Sequence, residues 1–306
     1  MGSEWLRTWP GVLTGEPLAR HSQFGIGGPA DHYLRLTDTR ELPDLLRRCA
    51  AEAVPVTVLG AGSNTLLLDG GVRGLAVQLA ERRLRVVDDT TVELSGGHMM
   101  PRAALDLARQ GIGGLEFGIG IPGTCGASVR GNAGAFGREV AEVLVDCDVI
   151  TPAGEPLTLG NVECGFAYRR SELSAGAHRG AVVVAARLRV ARDDAAAVRA
   201  RCDAISAQRN AAQPWGKRTL GSVFKNPPGD FAGRLVDACG LKGVRRGGAE
   251  ISVKHANFIL NADHATAADV LALITLAHAT VQDRLGVDLE REIVVLGEPI
   301  AAEPGR

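Results

Sequence analysis

The chain has 306 residues, 45% of them hydrophobic, and a formal net charge of −1. That length predicts two or three domains or subdomains with room for a sizeable core, and the lack of a basic block argues against a nucleic-acid surface. No apolar run approaches the roughly 20 residues that a membrane helix needs, and the opening Met-Gly-Ser-Glu-Trp-Leu-Arg has no apolar signal core. A myristoylation motif is discounted at Met1-Gly2, because Leu6 stands where that motif wants Ser or Thr. The six cysteines, Cys49, Cys125, Cys147, Cys164, Cys202 and Cys239, are scattered without a C-x-x-C pair, which fits neither a zinc site nor a disulfide framework. His255 stands alone and no H-x-x-x-H pair shares a helix face, so no metal is expected. The expectation is a reduced cytoplasmic protein.

In chain order, residues 41–53 have helical apolar spacing, ended by Pro55. Val56 to Leu59 reads as a short strand that empties into Gly60-Ala-Gly-Ser-Asn-Thr-Leu-Leu-Leu68, and Gly74 to Leu79 follows the turn Asp69-Gly70-Gly71. This alternation predicts an α/β unit. Residues 84–95 hold two β-like runs around Asp88-Asp89. Pro101 to Gln110 reads as a helix with Pro in its first turn and Gly111 past its end. Val140 to Ile150 and Ala181 to Val190 read as strands, and Ala195 to Ala212 as a helix. A domain boundary is expected at Gln213-Pro-Trp-Gly216. Beyond it come a helix over Phe231 to Cys239 stopped by Gly240 and strands at Ile251 to Val253 and Asn257 to Leu260. A strong amphipathic helix over Thr266 to Leu285, ended by Gly286, and a last strand at Ile293 to Leu296 follow. The tail, 301–306, is expected to fray.

The most informative stretch is Gly114 to Gly137, with eight glycines and no low-complexity repeat. Such a run leaves backbone N–H groups uncovered, and successive N–H groups form concavities for phosphate oxygens. A cluster of tight turns is the competing reading, but ordinary turns need one or two glycines. A second glycine-rich loop runs from Gly60 to Asn64. It is not a Walker A loop, because no Gly-Lys-Ser/Thr follows. It is not the Rossmann fingerprint either, because Thr65 occupies the third glycine position. Two such loops suit a dinucleotide with a pyrophosphate held by a different fold.

Three further islands are too polar for a core: Tyr168-Arg-Arg-Ser171, Gly221-Ser-Val-Phe-Lys-Asn-Pro227 and Leu289-Glu-Arg-Glu292. Taken singly, each has a plain reading. Ser222 serves as a turn residue, Arg169 as a surface charge and Glu292 as a solvated strand end. Lys225 and Asn226 serve as loop residues before Pro227.

Together, in order, these segments resemble the UDP-N-acetylenolpyruvoylglucosamine reductases, flavin enzymes also called UDP-N-acetylmuramate dehydrogenases. The resemblance starts at Phe24-Gly-Ile-Gly-Gly-Pro-Ala-Asp-His-Tyr33 and continues through Leu59 to Leu67, Gly114 to Gly123 and Asn132-Ala-Gly-Ala-Phe-Gly137. It also takes in the three polar islands, Gly240-Leu-Lys-Gly243, Gly248-Ala-Glu-Ile-Ser252 and His255-Ala-Asn-Phe258. The short run between Tyr168 and Lys217 looks like the shorter family type, which lacks an extra tyrosine-bearing loop. Cys125, Ala127-Ser128, Gly131 and Ser22-Gln23 depart from the commoner family residues, and none of these departures removes a catalytic group.

The resemblance implies an α+β architecture: a two-subdomain FAD-binding fold of the PCMH/vanillyl-alcohol-oxidase type plus a C-terminal α+β substrate-binding domain. The expected divisions are 1–78 and 79–211 for the flavin subdomains and 212–300 for the substrate domain. It implies FAD and NADPH as cofactors, UDP-N-acetylglucosamine enolpyruvate as substrate, no nucleic-acid or membrane partner, and a monomer. The catalytic residues it implies are Ser222 as proton donor and Arg169 and Glu292 beside the substrate carboxylate. FAD is assigned to Gly60, Ala61, Gly62, Ser63, Asn64, Thr65, Gly120, Ile121, Pro122, Gly123, Gly126, Ala127, Asn132, Gly134 and Gly137. Substrate is assigned to Tyr168, Lys225, Asn226, His255 and Asn257. The rival expectations are another flavin oxidoreductase on the same fold, a non-catalytic flavin or nucleotide-sugar binder, and a paralogue reducing a different enolpyruvyl ether.

Overall fold

The computed structural model describes residues 3–300; the expectations for Met1-Gly2 and for the tail at 301–306 lie outside them. The chain forms two compact units, neither of them continuous in sequence. The first comprises residues up to Val12, Leu34–Ala61 and Val77–Arg209. The second comprises Leu13–Tyr33, Gly62–Ala76 and Asn210 onward. The chain passes from one unit to the other within the strands Pro29–Leu36 and Val72–Leu79, so the expected first division, 1–78, is shared between them. Those two strands lie in a four-stranded sheet in the order Val12–Pro17, Pro29–Leu36, Val72–Leu79, Val56–Leu59. The first two of these strands had no counterpart in the sequence reading.

The first unit is built on an antiparallel five-stranded sheet in the order Pro156–Gly160, Leu144–Ile150, Val182–Arg189, Thr91–Ser95, Leu84–Val86. One face buries Val92, Leu94, Cys147, Val149, Ala186 and Leu188 against Met100, Leu107, Phe117 and Val129. Met100 and Leu107 come from the helix Met100–Ala108, which Gly111 closes in the left-handed region. The helix expected over 195–212 forms at Ala195–Ala212 and buries Val198, Cys202 and Arg209. One expectation fails at Val140. Val140–Val143 is a single helical turn, and the strand starts at Leu144. The cause is local: Glu142 lies three residues after Glu139 and its carboxylate accepts the Glu139 N–H at 3.0 Å, a capping arrangement that outweighs the β preference of two valines.

The glycine-rich stretch is also more structured than a loop. It contains a turn of 3₁₀ helix at Glu116–Gly120 and a short helix, Cys125–Arg130, whose N-cap Thr124 accepts the Ala127 N–H. Gly126 is a packing glycine, since a Cβ there would fall 2.9 Å from the Val183 carbonyl oxygen and 3.1 Å from that of Gly96.

The second unit has its own antiparallel sheet, in the order Thr219–Ser222, Phe258–Asn261, Ala249–Ile251, Arg245–Arg246. The helix Ala267–Leu285 covers it, burying Val270, Leu273, Ile274, Ala277 and Val281 with Ala249, Ile251 and Ile259. This helix starts with Thr266 accepting the Asp269 N–H. The Asp69 carboxylate takes the Ala267 and Ala268 N–H groups, which suits the positive end of a helix dipole. Gly286 ends it at φ +69°. The strand expected at Ile251 to Val253 lies at Ala249–Ile251, because the Ser252 hydroxyl accepts the Lys254 and His255 N–H groups and turns the chain. A parallel pair, Thr65–Leu67 with Val294–Leu296, completes the unit.

Replacing Gly126 by Ala forces a Cβ onto two backbone carbonyls, so Gly126→Ala is expected to lower stability by about 1–3 kcal/mol, read as a drop in the thermal unfolding midpoint.

Candidate functional site

In the first unit the two glycine-rich loops meet. A Cβ on Gly60 would fall 2.8 Å from Thr124 Oγ1. The backbone N–H groups of Ala61, Gly123 and Thr124 donate to no protein acceptor among the described residues. Donors uncovered in this way fit the pyrophosphate of the FAD that the resemblance implies. Behind the second loop, Arg209 is buried and donates to the Ile119 carbonyl at 3.2 Å. No sequence signal separates this arginine from the exposed ones on the same helix. Gly120 is closed in by Ala135 and Phe136, and Gly137 takes a left-handed turn with open space beside it.

Asn132 is fully buried, and its carboxamide is a bridge: Nδ2 donates to the Ala167 carbonyl at 3.1 Å, and Oδ1 accepts the Ala141 N–H at 2.9 Å. Ala167 and Arg170 close a tight turn by exchanging N–H···O bonds of 3.0 Å. Tyr168 and Arg169 form the tip of that turn. Arg169 has φ +56°, a left-handed conformation that costs a non-glycine residue about 1–2 kcal/mol. Its guanidinium donates to the Gly134 carbonyl at 3.1 Å and lies 5.1 Å from the Tyr168 ring centroid. The packing around Gly134 leaves no room for a side chain, since a Cβ would sit 2.7 Å from the Arg138 carbonyl oxygen. The Asn132 to Gly137 segment therefore holds an arginine-bearing turn.

In the second unit the other candidates gather around one extended segment. Thr219 pairs with Leu260 and Ser222 with Phe258, so the strand Thr219–Ser222 carries one residue more than its partner at this point. That bulge is centred on Gly221 at φ +75° and delivers Ser222, half-buried, at the strand end. From there Val223 donates to the Asn257 carbonyl at 2.8 Å, and Lys225 donates to the Glu290 carbonyl at 2.8 Å. Glu292 donates back to the Val223 carbonyl at 2.8 Å. The residues from Glu290 to Glu292 thus lie alongside Val223 to Lys225, with Ser222 and Glu292 on neighbouring stretches. Lys225 Nζ is paired with Glu290 at 2.5 Å.

The remaining candidates divide by what they touch. Asn64 donates its amide to the Glu292 carbonyl at 3.3 Å and accepts the Val294 N–H on its own carbonyl at 3.0 Å. Gly62, at φ +65°, is packed against Ser22, where a Cβ would meet Ser22 Cα at 2.9 Å. Asn226 Oδ1 accepts the Ala232 N–H at the start of the helix Ala232–Ala238. Asn257 is buried with both amide atoms on the Phe224 backbone. The His255 ring packs on Gly233, where a Cβ would fall 2.6 Å from Cε1, and meets Phe258 edge-on at 4.8 Å. Burial pushes the His255 imidazole below its ordinary value, and the Lys242 charge adds to that. Among the described residues no cluster of three His, Cys, Asp or Glu is placed to hold a metal ion. Cys147 and Cys164, 17 residues apart, meet in the core at 3.8 Å between sulfurs. The nearby Cys125 thiol is pushed up to about 12 by burial, which suits a packing role.

A histidine held below its unfolded value is neutral in the folded chain at a pH where the unfolded chain is already protonated. The stability it contributes is present above about pH 6.5 and is lost as pH falls toward the folded value. Thermal unfolding midpoints measured from neutral to mildly acidic pH are therefore expected to fall less steeply in His255→Gln than in the wild type. The buried His98, shifted the same way, keeps part of the slope in that variant.

Comparisons with known proteins extend over nearly the whole chain. The family model described as FAD binding domain matches residues 30–160. The model for the C-terminal domain of UDP-N-acetylenolpyruvoylglucosamine reductase matches residues 213–296. UDP-N-acetylenolpyruvoylglucosamine reductase 2 of Symbiobacterium thermophilum is 46% identical over 94% of this chain and 92% of its own. The enzyme of that name from Moorella thermoacetica is 44% identical over 94% of both chains. The crystal structure of the Thermus caldophilus reductase superposes with a TM-score of 0.79 at 34% identity, covering 92% of this chain and 98% of that one. With an FAD-binding α+β fold followed by the reductase C-terminal domain, the chain belongs to the UDP-N-acetylenolpyruvoylglucosamine reductase family.

Proposed function

We propose that this chain is an FAD-dependent enzyme that uses NADPH to reduce the enolpyruvyl ether of UDP-N-acetylglucosamine to UDP-N-acetylmuramate, a step of peptidoglycan precursor synthesis. The observation that carries the reading is Ser222 on its bulge, followed by a segment paired along its length with Glu290 to Glu292. A hydroxyl and a carboxyl presented on adjacent stretches suit protonation beside a carboxylate. The reading includes a cytoplasmic monomer and the divisions 1–78, 79–211 and 212–300.

FAD held by the loops Gly60 to Thr65 and Gly120 to Ala127 would supply the hydride chemistry, from NADPH to the vinyl CH2 carbon of the substrate. Negative charge then develops on the neighbouring carbon and its carboxylate, and only groups that stabilise that charge in the transition state raise the rate. Arg169 supplies a fixed cation for the carboxylate. Glu292, protonated or through a water, supplies a hydrogen bond to it. Ser222 gives its hydroxyl proton to the carbanion-like carbon, which is basic enough to take it, and regains a proton from solvent. The sum is one hydride and one proton added across the double bond, with NADPH oxidised to NADP+. The uncovered N–H groups at Ala61, Gly123 and Thr124 support the assignment of Gly60 to Thr65 and Gly120 to Ala127 to the FAD pyrophosphate region. Asn132, Gly134 and Gly137 are assigned to FAD as well. Lys225, Asn226, Tyr168 and His255 are assigned to the UDP-sugar side.

Ser222→Ala tests the proton-transfer role in anaerobic half-reactions. Reduction of the bound flavin by NADPH is expected to stay within about twofold of wild type, while reoxidation by the enolpyruvyl ether slows by about 100-fold or more. Equal slowing of the two halves would remove Ser222 from the role of donor. Wild-type flavin that NADPH reduces but this substrate does not reoxidise would shift the reading to a paralogue with another acceptor.

A further inference from the structure

The geometry points to Asn257 as a positioning residue that clamps the segment bearing Ser222 and Lys225, in place of the substrate contact expected from the sequence. The ladder between Thr219–Ser222 and Phe258–Asn261 ends at the pair Ser222 and Phe258. The chain before Phe258 turns away through Ser252 to Asn257, with the Phe258 N–H on the His255 carbonyl at 3.0 Å. No strand residue is therefore left to pair with Phe224 on that side. The Asn257 side chain takes the vacant place. Its Oδ1 accepts the Phe224 N–H at 2.9 Å, its Nδ2 donates to the Phe224 carbonyl at 2.8 Å, and its own carbonyl accepts the Val223 N–H at 2.8 Å.

A carboxamide presents one donor and one acceptor in the arrangement of a peptide group, so Asn257 acts as one further rung of the sheet. Asn257 and Phe224 are each 3% exposed, so neither water nor a ligand shares these bonds. On its other side the same segment bridges to Arg291, with the Lys225 and Glu292 backbone bonds flanking that bridge. A shift of Val223 to Lys225 would therefore move Ser222, Lys225 and Glu292 together. Aspartate in place of Asn257 keeps the acceptor but sets an anion against the Phe224 carbonyl, which removes one rung while leaving volume unchanged.

This assignment rests on the proposed function for its kinetic consequence, but not for its structural one, so two readouts separate them. In Asn257→Asp, flavin reduction by NADPH is expected to stay within about twofold of wild type, while reoxidation by the enolpyruvyl ether slows by at least about tenfold. In the same variant, amide hydrogen exchange over Val223 to Lys225 is expected to rise at least about tenfold while the helix Ala267–Leu285 keeps its protection. Loss of UDP-sugar affinity with unchanged exchange would make Asn257 a ligand contact and overturn the assignment, as would wild-type exchange and wild-type reoxidation. If the substrate does not reoxidise wild-type flavin, the proposed function fails and the exchange measurement alone decides the clamp. Asn257→Ser, with room for a water in place of the amide, is the second variant should the aspartate protein not fold.

Discussion

The second unit depends on the hydrogen-bonded threading of Val223 to Lys225 between Asn257 on one side and Glu290 to Glu292 on the other. A short extended segment has little stability of its own, because each residue fixed costs about 1–2 kcal/mol of backbone entropy. Paired on both sides, with Val223 and Phe224 in one buried cluster with Leu220, Leu289 and Ile293, it becomes as constrained as a central strand. The bulge at Gly221 then sets where Ser222 lies. Precision at a reacting hydroxyl thus comes from backbone bonds that never touch a substrate, a division of labour suited to chemistry that needs a proton delivered to one carbon.

The first unit solves a different problem with the same means. Its glycines are of two kinds, and the sequence does not distinguish them. Gly126 and Gly134 are small because backbone carbonyls crowd them. Gly60 is small because Thr124 lies against it, and among the described residues the N–H groups of Ala61, Gly123 and Thr124 have no protein acceptor. Asn132 ties the second loop to the turn that carries Arg169, and that turn holds its arginine in an unfavourable backbone conformation. Strain of this kind persists only where neighbouring bonds over-determine it.

Elements with strong local signals were legible in the sequence. The helix Ala195–Ala212 forms where its Ala- and Arg-rich composition places it, and Ala267–Leu285 forms where its amphipathic pattern and Gly286 do. The family, and with it the FAD-binding fold and C-terminal domain, was legible from ordered motifs. Less legible was whatever depended on partners distant in sequence. Val140–Val143 reads as strand by composition and is helical because of Glu139 and Glu142. The strand Val12–Pro17 carries Gly15 and Glu16, Pro29–Leu36 carries Asp31 and Arg35, and both take their order from tertiary pairing. Asn257 reads as a polar residue in a binding motif, and only the end of a ladder at Phe258 shows what its amide does. Arg209 is indistinguishable in sequence from its solvated neighbours, yet it is the one that reaches a loop carbonyl.

The most direct measurement is the fate of the substrate in deuterated water. The protein, loaded with FAD, is supplied with NADPH and UDP-N-acetylglucosamine enolpyruvate in D2O, and the product is read by mass spectrometry and NMR. UDP-N-acetylmuramate with solvent deuterium on the carbon that bears the carboxylate is expected, because Ser222 exchanges its proton with solvent before delivering it. Recovery of unchanged enolpyruvyl ether from protein whose flavin NADPH has reduced would contradict it.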